Sequence, residues 1–311
     1  MRAAAIMRPA PLRTRRRRRE GRATLINSTS LLAEALQRSL LATWQQTFGE
    51  REAELGRRVA NAAMLIIERI GNSDALYHDA HHTAMVTLVG QAILRGKLIA
   101  ETVTPNDWLH VTLAMLTHDI GYVRGICPGD TAEVCVVDGS GATVAIPRGA
   151  SDAFLAPYHV DRAKLAVRSR FADLPEIDGE RIAAAIELTR FPYPETDDRP
   201  ETGTEAGLVR AADLIGQLGD PLYPRKLGAL FYEFAELGIA TQLGYQSPAD
   251  LAEKYPKFFW ERVEPYIGDA MRYLEFTMEG KQWIANLNSH IFVMEHNRSR
   301  LGPQPGPATA A

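Results

Sequence analysis

Three of the eight histidines lie within five positions, in the segment LYHDAHHTAMVTLVGQAILRG at residues 76–96. If this segment is helical, His78 and His82 lie four residues apart and share one face. That face continues through apolar residues (Val86, Val89 and Ile93), so both imidazoles should point inward. Buried imidazoles need polar partners. The pair is therefore either two hydrogen-bonded core histidines or one part of a metal site.

Two further helices are predicted to bury ionisable side chains. One is apolar almost all round and ends in the adjacent pair His118-Asp119. The other embeds Asp213 between alanine and leucine residues, although an ion pair with Arg210, three residues earlier, is the alternative for this carboxylate. Two imidazoles and two carboxylates around one divalent cation would neutralise groups that are costly to bury. The sequence therefore predicts a metal site made of His82, His118, Asp119 and Asp213.

Hydrophobic periodicity predicts an all-α domain that positions these side chains. Apolar residues recur at helical spacing through most of the chain, and Thr104-Pro105 is a helix start signal. The exception is VCVVDGSGATVAI at 134–146, two short β-branched runs around Asp-Gly-Ser-Gly, which predicts an inserted hairpin. After a first helix that ends near residue 48, the predicted helices are 51–70, 76–95, 105–119, 152–171, 179–189, 204–218, 226–238, 248–254, 256–279 and 281–296.

Charge divides the chain unevenly. Residues 1–23 hold nine arginines and one glutamate, which leaves 26 basic and 37 acidic residues in the remainder. We expect 1–23 to be a disordered arm, 24–300 one domain and 301–311 a disordered tail. The arm could also be a targeting signal or a patch for membrane surfaces or nucleic acid. A protein that recognises nucleic acid carries basic charge on its folded domain. Since the chain after residue 23 is acidic, we expect no specific nucleic-acid partner.

Two cysteines, Cys127 and Cys135, suit a reduced compartment better than a disulfide framework. No uninterrupted apolar run reaches the roughly 20 residues of a spanning helix. We therefore expect a cytoplasmic protein without a membrane span.

The order H…HD…D on separate helices resembles the HD superfamily of metal-dependent phosphohydrolases over roughly residues 60–295. Within it, the segment Tyr77–Thr83 (YHDAHHT) is similar to the Y-H-N-x-x-H-A signature of cyclic-nucleotide phosphodiesterases. The resemblance implies an all-α fold, with the four residues above as ligands of a first divalent ion. It also implies that Asp119 bridges to a second, weakly held ion and that His78 is the general acid. The sequence does not distinguish Zn, Mg, Mn and Fe.

Three positions depart from that phosphodiesterase pattern. Tyr122 stands where H-D-x-x-H has its second histidine, Asp79 replaces the asparagine and Thr83 replaces the alanine. His159 is the only histidine between Asp119 and Asp213, so it is the one candidate for an outer member of the site. A helix histidine beside Asp161 is the alternative interpretation.

We therefore predict a metal-dependent phosphohydrolase. A metal-bound hydroxide would attack a nucleotide phosphodiester, and His78 would donate a proton to the leaving group. Candidate phosphate clamps are Arg162, Arg190 and Arg210, because guanidinium forks match phosphate geometry, although each could instead serve in an ion pair. A nucleotide phosphomonoesterase and a non-catalytic domain that binds nucleotide or metal are the alternatives. The expected partner is a phosphorylated small molecule, a nucleotide in the first instance, and the oligomeric state stays open.

Overall fold

The computed structural model describes residues 27–192 and 201–296. The predicted Arg-rich arm (1–23) and the tail (301–311) lie outside these ranges. The described chain is mainly helical, with α1 Ser28–Phe48, α2 Ala53–Ile70, α3 Ala80–Ala100, α4 Pro105–Thr117, α5 His159–Phe171, α6 Gly179–Glu187, α7 Glu205–Leu218, α8 Tyr223–Glu236, α9 Ile239–Gln242, α10 Pro248–Phe258, α11 Glu264–Leu274 and α12 Met278–Glu295. Strands β1 (Val134–Val136) and β2 (Thr143–Ala145) form the only sheet in these ranges, an antiparallel pair in which Cys135 faces Val144. The predicted all-α fold with a hairpin insertion is confirmed.

Local sequence sets the helix starts that matter for the site. Asp79 caps α3, its carboxylate accepting a hydrogen bond from the backbone N–H of His82 at 2.8 Å. Asparagine and aspartate cap helices about equally well, so the departure at this position preserves the local structure. Thr104 and Asp107 form a reciprocal capping box at the start of α4, and Thr204 caps α7. The start signal read at Thr104-Pro105 is confirmed.

Several predicted boundaries differ from the structure. The helix predicted at 152–171 is a short 3-10 turn, Asp152–Leu155, followed by α5. The helix predicted at 256–279 is not one continuous α-helix. A π-helical segment, Phe259–Val263, joins the end of α10 to α11, and α12 begins after its cap residue Thr277. Pro256 lies in the last turn of α10 and cannot donate a backbone hydrogen bond there. The short helix α9 was not predicted.

Helix α3 is the centre of the core. It packs against α7, α4, α11 and α12, and its buried residues include Val86, Val89 and Ile93. In the described part of the chain it is the one helix long and apolar enough to span a membrane by length and composition. Most of its apolar window, 61%, is buried inside the domain. Its apolar character therefore matches a core helix, while the cytoplasmic location stays a prediction.

Candidate metal centre

Four predicted ligands from three helix segments converge at one end of α3. The Nε2 atom of His82 lies 3.3 Å from Asp119 Oδ2 and 3.3 Å from Asp213 Oδ1. The Nε2 atom of His118 lies 3.0 Å and 3.6 Å from the same two oxygens. Bonds of about 2.0–2.2 Å to one ion place neighbouring ligand atoms about 2.8–3.6 Å apart. The His82, His118 and Asp213 cluster could therefore hold a metal ion, and Asp119 is close enough to join it.

The buried atoms at this centre lack the partners that a purely structural role would require. The Nδ1 atom of His118 lies 2.8 Å from the carbonyl oxygen of Met115, and since a carbonyl only accepts, Nδ1 carries the proton. In the neutral imidazole, which is the form that binds a metal, this leaves a lone pair on Nε2. Within the described residues, His118 Nε2 and Asp119 Oδ2 are buried without a hydrogen-bond partner. A cation between them would satisfy both atoms, so the donor set fits a metal.

The charges of the centre are strongly coupled. Burial opposes ionisation of Asp119 and Asp213, but the neighbouring imidazoles hold the pKa of both carboxyls well below its ordinary value. Burial also opposes protonation of His82 and His118, yet the two carboxylates raise the pKa of both imidazoles. Without an ion, the imidazoles and the carboxylates therefore stabilise each other's charged forms.

Metal affinity is therefore expected to rise with pH. Below the raised pKa values of His82 and His118, an incoming ion must displace a proton from each imidazole before it can bind. Each displaced proton contributes about a tenfold gain in affinity per pH unit. Above those pKa values the gain should vanish. Calorimetric titrations with Zn²⁺ at several pH values, in buffers of different ionisation enthalpy, measure both the affinity and the number of protons released. Affinity that is independent of pH would contradict this coupling of charges.

Gly216 brings α7 close enough to α3 for Asp213 to reach His82. A Cβ atom at Gly216 would lie 2.7 Å from the Cα and 2.8 Å from the backbone N of Val86. Val86 follows His82 by one turn, and Gly216 follows Asp213 by three residues. The closest approach of the two helices is thus directly beside the ligands. A side chain at this glycine would force apart the two backbones that carry them.

Gly216→Ala is expected to destabilise the fold by about 1–3 kcal/mol, the usual cost of overpacking, and to weaken metal binding at the same time. Gly228→Ala is the matched control, because a Cβ atom there meets nothing within 4 Å. In the interior of α8 that change should stabilise the helix by about 0.5–1 kcal/mol. Chemical denaturation and metal titration of both variants measure the two effects. Equal behaviour of the two variants would show that the close approach does not matter.

His78 lies beside the centre, but not where the helical spacing predicts. It precedes α3, so the shared-face argument for His78 and His82 was wrong. A carboxylate holds it instead: its Nδ1 atom lies 2.6 Å from Oε2 of Glu233, whose Oε1 accepts hydrogen bonds from the backbone N–H groups of Tyr77 and His78. Burial disfavours a charged His78, but Glu233 outweighs it and raises the pKa of His78 to about 9. This raised pKa favours the protonated form of His78.

Sequence reasoning missed Glu233. This glutamate is 2% exposed, on the helix that follows the last ligand. The available signal was the same as for Asp213: a single acid in an apolar stretch, here ALFYEFA, at a position that the helix buries. Its partner lies 155 residues earlier in the chain. No local pattern connects the two.

His159 lies beside Asp119, and its role as an outer member of the site stays a prediction. Its Nε2 atom is 3.8 Å from Asp119 Oδ1, while Nδ1 lies 2.6 Å from the carbonyl oxygen of Ala156. Gly121 permits this approach, because a Cβ atom there would lie 1.9 Å from the carbonyl oxygen of His159. The two oxygens of Asp119 thus face different imidazoles.

The three candidate phosphate clamps are engaged elsewhere. The guanidinium of Arg162 is fully buried and donates to Asp130 and to the backbone carbonyls of Gly121, Val123 and Val136. These acceptors occupy all five of its N–H groups, so Arg162 fastens the hairpin to the site rather than binding phosphate. Arg190 pairs with Asp161 and Glu187. Arg210 is buried over the ring of Tyr266, 4.4 Å from its centroid.

Comparison with known proteins gives one result for the whole domain. A family model described as Npun_R2479-like matches residues 26–297. The chain belongs to the Npun_R2479-like family. The match spans every element that positions the candidate centre, from α1 to α12, so the centre lies inside the family's own domain. No curated protein matches the chain. The family description names no activity, so the resemblance to the HD superfamily and its chemistry stay proposals.

Proposed function

We propose that this protein is a metal-dependent phosphohydrolase that hydrolyses a nucleotide phosphodiester. The observation that carries the proposal is the convergence of His82, His118, Asp119 and Asp213, two of whose buried atoms lack hydrogen-bond partners, with His78 held next to them by Glu233. A purely structural cluster would pair its own polar atoms. The nucleotide is the substrate class that the resemblance to cyclic-nucleotide phosphodiesterases implies.

The four clustered side chains would hold the ion. A divalent cation supplies a water whose pKa is lowered toward about 7, and it polarises a phosphoryl oxygen. The two aspartates are held ionised and the two imidazoles present Nε2, which is the donor set that zinc and other divalent transition metals accept. A second ion on the outer side of Asp119 remains part of the prediction.

His78 would deliver the proton to the departing oxygen. Glu233 fixes its Nδ1 atom, so the remaining ring nitrogen, Nε2, is the one available to donate. The rings of His78 and His82 are nearly perpendicular, with centroids 5.7 Å apart. A proton donor held beside a ligand imidazole is where a leaving oxygen needs it. Glu233 keeps that donor charged.

The balance of charge around the centre supports a diester over a monoester. A monoester brings two negative charges at neutral pH, and a diester brings one. Lys164, on the same helix as His159, and Arg190, just after α6, are both paired with Asp161 and Glu187. Lys226, next to His81, is paired with Asp220 at 2.7 Å. These cations are already neutralised, so a singly charged phosphate suits the site better.

The test combines metal content with a substrate panel. Purified protein should contain a divalent metal by elemental analysis, and it should release p-nitrophenol from bis(p-nitrophenyl) phosphate but not from p-nitrophenyl phosphate. Cyclic nucleotides are the first natural diesters to assay. Release from the monoester alone would instead establish a phosphomonoesterase. Bound metal without turnover of the esters or of a nucleotide panel would indicate a binding domain, and a protein that takes up no metal would refute the proposal.

A further inference from the structure

Tyr122 is the middle ring of a three-ring stack at the candidate centre. Its phenol ring lies 4.6 Å from the imidazole of His78, with 13° between the ring planes. It lies 4.6 Å from the imidazole of His159, with 23° between the planes. Tyr122 is 3% exposed and follows Asp119 by three residues in a short 3-10 helix. The stack therefore joins two histidines that come from distant parts of the chain.

The stack and the bond to Glu233 restrain His78 in different ways. The contact between Nδ1 and Glu233 fixes one atom of the ring but leaves rotation about that contact. A ring stacked nearly parallel on the imidazole fixes its plane. Together the two restraints leave one direction for Nε2, which is the atom that the proposed function assigns to proton transfer. A misplacement of about 1 Å in such a group can cost about 100-fold in rate.

The backbone under Tyr122 is itself held in place. Gly121 packs against the start of α5, and its carbonyl oxygen accepts a hydrogen bond from Nε of Arg162 at 2.7 Å. The carbonyl oxygen of Val123 accepts another from Arg162 at 2.9 Å. The residues on both sides of Tyr122 are thus tied to the helix that carries His159. This anchoring makes the ring a rigid surface for its neighbours.

We propose that Tyr122 is a positioning residue that sets the ring plane of His78, so that Nε2 points at the leaving group. The inference rests on the proposed function, because it assigns Tyr122 a role through the proton donor. The aromatic ring of Tyr122 sets the plane of the His78 imidazole, and the hydroxyl group is not needed for this role. Tyr122 acts on the step that needs a proton and leaves the ion in place.

Substitutions at Tyr122 separate this role from a merely structural one. Tyr122→Leu removes the ring and should slow hydrolysis of an alkyl diester by up to about 100-fold. It should have little effect on a p-nitrophenyl diester, whose leaving group departs without a proton. Tyr122→Phe keeps the ring and should recover most of the lost activity, with unchanged metal content. Tyr122→Met, a flexible side chain of similar reach, is the second non-aromatic variant if the leucine variant folds poorly.

A double-mutant cycle with His78→Ala gives the decisive comparison. If Tyr122 acts through His78, Tyr122→Leu should cause no further loss on the alkyl diester once His78 is absent. Losses that multiply in the double variant, or equal slowing of both esters by Tyr122→Leu, would overturn the proposal. An absence of hydrolysis in the unmodified protein would instead refute the proposed function.

A second measurement does not depend on turnover. In NMR spectra of histidine-labelled protein, the ring protons of His78 and His159 should be shifted upfield by the tyrosine ring. The shift should persist in Tyr122→Phe and disappear in Tyr122→Leu or Tyr122→Met. Ring protons at ordinary positions in the unmodified protein would show that the stack does not form in solution and would overturn the positioning role.

Discussion

If the proposed function is right, replacing any one of the four candidate ligands with alanine should remove or weaken metal binding and lower hydrolysis by orders of magnitude. The variants are His82→Ala, His118→Ala, Asp119→Ala and Asp213→Ala. The loss should be large because the nucleophile depends on the ion. Each substitution also leaves the opposing buried groups without a partner, which adds a stability cost. Elemental analysis, thermal denaturation and an esterase assay on the same samples measure the three effects.

Two other histidines serve as controls. His110 has both ring nitrogens engaged, with the carbonyl oxygen of Asn106 and the backbone N–H of Asp178. His290 contacts the carbonyl oxygen of Leu218 through Nδ1. His110→Ala and His290→Ala should keep their metal, even if the loss of a buried hydrogen bond lowers the melting temperature. Full metal occupancy in all four ligand variants would show that the centre lies elsewhere or binds no metal.

His78→Ala is expected to keep the metal and to lose activity mainly on substrates whose leaving group needs a proton. General acid catalysis contributes about 10²–10⁴-fold, so an alkoxide-leaving diester should slow by about that factor. A p-nitrophenyl diester should slow much less, because p-nitrophenolate leaves as an anion. The ratio of the two rates in each variant is the measurement.

Glu233→Gln complements that experiment, since it keeps the shape of the side chain that contacts His78 but removes its charge. It should lower the pH at which the activity on the alkoxide-leaving diester begins to fall, because His78 would lose the carboxylate that raises its pKa.

Loss of metal in His78→Ala would make His78 a ligand. Equal slowing of both esters would make it a residue that shapes the pocket, and unchanged rates would remove it from the reaction.

The sequence by itself predicted most of the helices, the hairpin and the residues of the candidate metal centre. Helical periodicity, the capping box at Thr104 and the β-branched runs of the hairpin are local signals, and local signals fix helix and strand identity. The candidate ligands could be recognised because His82, His118 and Asp213 are ionisable residues at positions that the helical pattern is expected to bury. Burial of a charge is costly without a partner, so each such residue already predicted a partner somewhere in the fold.

Only the tertiary structure decided how these residues are held. The shared helical face placed His78 correctly near His82 but for the wrong reason, since a carboxylate from α8 positions it. Arg162 had the chemistry of a phosphate clamp, yet every donor of its guanidinium is used within the protein. The stack of Tyr122 depends on three segments meeting. Contacts between residues far apart in the sequence are set by the way the helices pack. The single glycine that lets α7 approach α3 is one example. Packing depends on the whole chain, so no segment predicts these contacts by itself.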